Sequence, residues 1–469
     1  MRIFALVILA YTAVYFIGSF VLFWLAAIDL VRLRRGALRT RALRILRAPI
    51  APAVTVLIPA HDEEVAIAES LRSVLALDYP ELHVVVVNDG STDNTLQILI
   101  DEFELRPVGR QLSDALPHAA VRAVYEGPKE LGLVLVDKEQ GGRSDALNAA
   151  ICTATTPLVC IVDADSVLEQ DGLTSLIVPM LEDPERTLAC GGVVGVGNGC
   201  RIERGHVVEI GLPHGRLAMF QTLEYLRAFF HARAGLAMPN SLHLISGAFG
   251  LFRREAIIAA GGLRTDTVGE DFDLTMTLHE RARAEDRPYR IAYVPAPICW
   301  TEVPERLRIL HAQRRRWGQG AMQVIARHRG VVFHPKNGSL FFFAGIALIL
   351  ELLGPPILVI GLTIAVVSAA LGVIEWPLAA SVVVFWLAFA ITLTAAALTL
   401  EDLSPRRSLG WRRFARLLAY AVIENFGYRQ LVDFWQLEGM VTFRRPGNWG
   451  VMERSGLGSP VGHSSPKVG

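Results

Sequence analysis

Two aspartates with one residue between them, Asp163 and Asp165, close an apolar stretch at 158–162. Such a pair suffers desolvation and mutual repulsion unless a cation neutralises it, and two carboxylates suit a hard divalent ion such as Mg²⁺ or Mn²⁺. Standing alone, an Asp-x-Asp is better read as a solvated turn, so its neighbours decide the matter. Glu63, Asp89 and Asp137 also fall at or just after apolar, Val-rich or Leu-rich segments. A second acidic pair, Glu270 and Asp271, follows Gly269 at the start of a helical stretch, where carboxylates ordinarily do no more than match the helix dipole. Beside a metal and a nucleotide, Asp271 becomes the candidate base, with Glu270 next to it. Gln313, Arg316 and Trp317 stand at i, i+3 and i+4 and share a helix face, which leaves Arg314 and Arg315 pointing elsewhere. A planar donor fork beside an indole suits a diphosphate next to a sugar ring. An interfacial helix with Arg at lipid headgroups and Trp at the boundary uses the same residues, and the two uses are compatible.

The elements that must position these groups alternate. Strands are expected at 54–58, 82–87, 121–125, 133–136 and 158–162, with helical stretches after most of them, which predicts a mostly parallel sheet covered on both faces. In such sheets ligands sit beyond the carboxyl ends of the strands, and Glu63, Asp89, Asp137, Asp163 and Asp165 all fall on that rim. Residues 141–148, Gly-Gly-Arg-Ser-Asp-Ala-Leu-Asn, open a helix and bring Arg143 to the same side. Neither GxGxxG nor a Walker A loop is present: Gly195, Gly197 and Gly199 come near the pattern, but Cys200 stands where the last glycine belongs. Phosphates must then be held by metal and side chains rather than by a glycine cradle. Further on, 188–200 is glycine-rich, 221–233 reads as a helix, 245–250 makes a short bend containing Ser246 and Gly247, and 304–326 reads as the amphipathic helix that carries Gln313 to Trp317.

Composition places this domain at a membrane. Of 469 residues 52% are hydrophobic, and the mean hydropathy is +0.37, too apolar for an ordinary soluble chain. The formal net charge is zero, which gives no support for nucleic acid as a partner. The five cysteines form no CxxC and the histidines no HExxH, so neither a zinc site nor a disulfide framework is suggested. Residues 3–28 carry no charge and are longer than the about 20 residues that cross a bilayer. Arginines without acids at 32–47 put the following segment on the cytoplasmic side, where they can also meet anionic lipid heads. Residues 339–371 are apolar over a length too great for one upright span and too small for two. With Pro355 and Pro356 allowing a kink, one crossing preceded by an interfacial portion is expected, followed by a span at 378–400. Residues 414–443 read as a helix carrying Glu424, Asn425, Arg429, Gln430 and Asp433, which cannot face lipid all round.

In order and spacing, Asp89 in NDGSTD, the Asp163-Ala-Asp165 pair, Gly269-Glu270-Asp271 and QRRRW at 313–317 resemble the processive family 2 glycosyltransferases, the cellulose, hyaluronan, chitooligosaccharide and bacterial poly-N-acetylglucosamine synthases. The resemblance covers about residues 50 to 330. It implies an α/β GT-A (Rossmann-like) cytosolic domain with flanking transmembrane and interfacial helices, and inverting transfer from a UDP-sugar. It further implies donor contacts from Glu63, Asp89, Asp137, Arg143 and Asp163, metal binding by Asp165 with Asp163, Asp271 as general base, and Gln313, Arg316 and Trp317 closing over diphosphate and acceptor. Trp317, Ser246 and Gly247 fall to the acceptor. Arg143 stands where many relatives carry Lys, and a fork is not a point charge. The domain plan that follows is 1–30 membrane helix, 31–49 basic linker, 50–300 catalytic domain, 301–338 interface helices, 339–443 membrane and interfacial helices, and 444–469 tail. The reading is a multi-pass protein of a bacterial-type inner membrane with its catalytic domain cytoplasmic, extending a β-linked polysaccharide, poly-N-acetylglucosamine first among candidates, with a small membrane or export subunit as a compatible partner. Transfer of one sugar to a lipid and an inactive binding or export partner are the rival readings.

Overall fold

The computed structural model describes residues 2–34, 51–203, 205–373, 376–404 and 410–445. The basic linker from 35 onward, Arg406, Arg407 and the tail from 446 lie outside the described residues.

Strands β1 (Val54–Ala60), β2 (Leu82–Asp89), β3 (Arg106–Val108), β4 (Val121–Glu126), β5 (Leu133–Lys138), β6 (Leu158–Val162), β7 (Ser166–Leu168) and β8 (Thr187–Val196) follow one another through the first half of the domain. A two-stranded ribbon of β9 (Arg201–Glu203) and β10 (His206–Glu209), then β11 (Phe249–Arg253) and β12 (Arg290–Thr301), complete the set. Ten of them form one sheet in the order β3-β4-β5-β2-β1-β6-β11-β8-β12-β7. Its centre, β5-β2-β1-β6, is parallel, and every residue of β6 is buried, as suits an unbroken apolar run covered on both faces.

The expectation of a mostly parallel sheet holds for that centre and for the β8–β12 pair, but not for the rest. β4 runs against β5 because the link between them, residues 127–132, is far shorter than the about dozen residues a parallel crossover needs. β11 enters antiparallel to both β6 and β8. The parallel centre still does what matters for a site: the carboxyl ends of β1, β2, β5 and β6 meet on one rim. There His61 to Glu63, Asp89 and Asp163 follow their strands.

Helix Glu270–Ala284 has its acids inside the first turn, so the helix begins earlier than the apolar pattern predicts. Helix Leu307–Val332, which carries Gln313 to Trp317, is wedged between it and helix Tyr428–Val441. Glycine makes this approach close: a Cβ on Gly318 would lie 2.2 Å from the Gln436 carbonyl oxygen, and one on Gly269 3.2 Å from the backbone of Gly320.

Among the described residues two helical stretches are long and apolar enough to cross a membrane, Ala10–Arg32 and Leu340–Ala370. The first belongs to helix Arg2–Arg34, which docks on the α/β domain: His231 donates to the Ser19 carbonyl at 2.8 Å, and a Cβ on Gly235 would meet Leu22 O at 2.6 Å. In the second, Pro355 and Pro356 lie inside one continuous helix, Ile346–Ala370. The departure from α geometry falls instead in the π-helical turn Leu340–Gly345, where a Cβ on Gly345 would sit 2.8 Å from Val332 O. Helix Trp376–Asp402 follows. The single helix expected at 414–443 is two, Trp411–Ile423 and Tyr428–Val441, because Gly427 between them takes φ 103°, a left-handed conformation open to glycine.

Candidate active site

One cavity of about 2060 Å³ receives Glu63, Asp89, Arg143, Asp163, Asp165, Ser246, Gly247, Glu270, Asp271, Gln313, Arg316 and Trp317. Asp137 does not line it. Alternation along β5 turns the neighbouring Lys138 toward Asp89, while Asp137, 7% exposed, accepts from Asn88 Nδ2 at 2.7 Å. Its part in the site is therefore at most indirect, through β2.

Asp89 is 2% exposed and already bonded. Oδ1 accepts from Gly141 N at 2.9 Å and Oδ2 from Gly142 N at 2.7 Å, and Lys138 Nζ lies 2.5 Å from Oδ1. Lys138 is fully buried, is held by Asp145 as well at 2.6 Å, and was not legible as a site residue. Together they fix the Gly141–Gly142 turn that starts helix Arg143–Thr153.

Arg143 is the hub that results. Its Nε and Nη2 donate to Asp163 Oδ1 at 3.0 and 2.7 Å, its Nη1 to Glu270 Oε1 at 2.6 Å, and its Nη2 also to the Gly247 carbonyl at 2.8 Å. Burial works against its charge, but Asp163 and Glu270 outweigh burial and hold the guanidinium firmly protonated. Glu270 is 3% exposed. Burial pushes its carboxyl up to about 7, with Arg143 pulling down and the like charge of Asp271 pushing up. Asp271 itself faces the cavity, its Oδ2 accepting from Gly247 N at 3.0 Å and its Oδ1 from Phe272 N at 2.8 Å. Those two bonds aim the carboxylate without enclosing it.

Across the cavity, Gln313 is 7% exposed and its Oε1 has no hydrogen-bond partner among the described residues, an acceptor available to a ligand hydroxyl. Arg316 is destabilised as a cation by burial and by Arg143, against Glu270 and Asp163. Arg314 departs from expectation. It lines the same cavity, its Cζ lies 4.3 Å from the centre of the Trp317 ring, and it pairs with Glu224 at 2.5 Å. The i, i+3 relation of Arg314 to Trp317 was the available signal.

Among the described residues no three His, Cys, Asp or Glu side chains are grouped to hold a metal ion. Asp163 and Asp165 are two carboxylates on one wall of the cavity. That donor set fits Mg²⁺ or Mn²⁺, which commonly take one or two carboxylates and complete their shell with water and substrate phosphates.

A family model described as "Glycosyltransferase like family 2" matches residues 51–320, more than half of the chain. The chain belongs to glycosyltransferase-like family 2. As a family 2 glycosyltransferase it resembles the poly-beta-1,6-N-acetyl-D-glucosamine synthase of Staphylococcus aureus strain COL, at 30% identity over 275 residues, 58% of this chain and 56% of that protein. The synthase of the same name from Staphylococcus epidermidis is 29% identical over 289 residues, 61% of this chain and 59% of that one. The chain thus spans somewhat more than half the length of these relatives. A mannosyltransferase from Pyrobaculum calidifontis, solved in complex with GDP-Man and Mn²⁺, has a TM-score of 0.52 at 22% identity, covering 90% of this chain and 98% of that one. This likeness shows the fold of the family 2 glycosyltransferase: a GT-A-type mixed α/β domain.

Proposed function

We propose that this chain is a membrane-embedded, inverting glycosyltransferase that transfers a sugar from a UDP-sugar to a growing β-linked polysaccharide, N-acetylglucosamine being the sugar favoured by its relatives. The observation that supports it best is continuity. The cavity lined by Asp163, Asp165 and Asp271 runs on between the flanking helices to Tyr11, Tyr15, Glu351 and Phe389. Its volume exceeds the about 300–1,000 Å³ of a small-ligand pocket, and a chain of linked sugars needs such a passage where a single sugar does not. Export through the protein's own helices, from a cytoplasmic catalytic domain in a multi-pass inner-membrane protein, is part of the proposal.

Asp165 and Asp163 would hold the divalent ion, which when bound supplies charge stabilisation to the departing diphosphate. The acceptor hydroxyl attacks the anomeric carbon from the face opposite the diphosphate, and its proton goes to Asp271. The bond from that carbon to the diphosphate oxygen breaks with its electron pair leaving on UDP, so an α-linked donor gives a β-linked product. Arg143 and Arg316 provide positive charge around the leaving group, and Trp317 with Gln313 gives the acceptor sugar an apolar face and a hydrogen-bond acceptor. Glu270, Gln313 and Asp165 are themselves buried on the wall of the cavity around the reacting groups.

The test is a donor screen on detergent-purified protein with Mg²⁺ or Mn²⁺, products read by mass spectrometry. A ladder of β-linked N-acetylhexosamine is the expected result. A glycolipid bearing one sugar, or no turnover of any UDP-sugar, would overturn the polymer reading.

A further inference from the structure

Arg143 does more in this geometry than the transfer reaction asks of it. Its guanidinium is 13% exposed, converges through Nε and Nη2 on the same oxygen of Asp163, and is tied to Glu270 and to the Gly247 carbonyl. The fit is close, since a Cβ on Gly247 would come within 2.9 Å of Nη2. A fixed cation therefore already sits on one of the two carboxylates offered to a divalent ion. A bare Mg²⁺ or Mn²⁺ arriving at Asp163 and Asp165 meets a like charge in a partly buried place, where salt screens little. A nucleoside diphosphate carries enough negative charge for both cations.

Resting on the nucleotide-sugar reading above, we infer that Arg143 makes divalent-cation binding conditional on the nucleotide: it occupies Asp163 in the donor-free enzyme and turns part of its charge to the diphosphate when donor and metal arrive together. The residue is a gate on the order of binding. It keeps the carboxylate pair from trapping metal idly, and it links the donor wall at Asp163 to the helix that begins with Glu270 and carries Asp271.

The experiment measures Mn²⁺ binding to the full chain in detergent by the loss of the free-ion paramagnetic resonance signal, with and without saturating UDP, using Asp165→Ala to report background sites. Coupling between two sites is typically about 5- to 150-fold, so Arg143→Gln should bind Mn²⁺ alone about tenfold more tightly than the natural protein, and the further gain on adding UDP should be correspondingly smaller than in the natural protein. Arg143→Lys keeps the charge and should leave the UDP-free Mn²⁺ affinity within about threefold of the natural value, by the same reasoning. Should Arg143→Gln fail to fold, Arg143→Met, which fills the space without a charge, takes its place with the same expected result. Natural protein that binds Mn²⁺ equally with and without UDP, or an uncharged variant with no gain in UDP-free affinity, overturns the inference while leaving the site assignment standing. Natural protein that binds neither UDP nor Mn²⁺ in any combination overturns both.

Discussion

Asp89→Asn separates positioning from ligand contact at the rim of the sheet. The native carboxylate is 2% exposed and accepts from Lys138 Nζ, Gly141 N and Gly142 N. An amide keeps one acceptor oxygen and turns an NH₂ group toward one of those donors. One charge-assisted bond is lost, about 1.5–3 kcal/mol, and a buried donor left facing a donor adds about 1–3 kcal/mol. Lys138 keeps Asp145 at 2.6 Å and the Glu139 carbonyl at 2.6 Å, so the upper end of the about 3–5 kcal/mol for orphaning a buried ion is not reached. The expected destabilisation is about 3 kcal/mol. Because Gly141 and Gly142 lead directly into Arg143, UDP affinity should fall in parallel. The assay is thermal unfolding of detergent-purified protein by tryptophan fluorescence, run beside UDP calorimetry. A variant that melts with the natural protein yet loses UDP would refute the reasoning, since Asp89 would then act as a ligand contact alone.

Glu270→Gln tests the electrostatics at the start of helix Glu270–Ala284. Burial raises the native carboxyl to about 7 from an ordinary 4.5, so its contribution to stability is complete below about pH 4.5 and is lost as pH rises through about 7. The melting temperature of the natural protein should therefore fall relative to Glu270→Gln across that window, and parallel curves would contradict the assignment. Arg314→Gln removes the cation over Trp317. At about 0.5–2 kcal/mol for such a contact, the apparent KM for acceptor oligosaccharide should rise about twofold to thirtyfold with UDP affinity unchanged; an unchanged KM would remove Arg314 from the acceptor side. Glu424 is fully buried and bidentate to Arg227 at 2.7 and 3.0 Å. Glu424→Ala should cost about 3–5 kcal/mol by stranding that guanidinium, while the double variant with Arg227→Met should melt higher than Glu424→Ala, and equal melting would argue against a buried pair.

What could be read in advance follows physical lines. The Val-rich and Leu-rich runs of β1, β2, β5 and β6 leave few alternatives to buried strands, and acids at their ends mark the ligand rim whatever the rest of the chain does. Antiparallel β11 was not legible, because a short apolar run after a bend carries no sign of its direction. In the Asp163–Arg143–Glu270 bridge, Arg143 and Glu270 stand 127 positions apart, and only the tertiary fold brings them together. Nothing in the sequence marks Lys138, because a lysine is ordinarily solvated; its burial follows from pairing opposite Asp89 in the β2–β5 register. The break at Gly427 was hidden in a helix pattern that continues on both sides of it, while Pro355 and Pro356, which allow a kink, stand inside one continuous helix.

Asp271→Asn is the most direct measurement. The carboxylate is held by two backbone N–H groups and lines the cavity, and the amide keeps one of those bonds and nearly the same shape while losing the capacity to take a proton. Incorporation of labelled sugar should fall by about 10²- to 10⁴-fold, the usual contribution of a positioned base, while UDP and Mn²⁺ bind as they do to the natural protein. Turnover within tenfold of the natural rate, with nucleotide binding intact, would contradict the account.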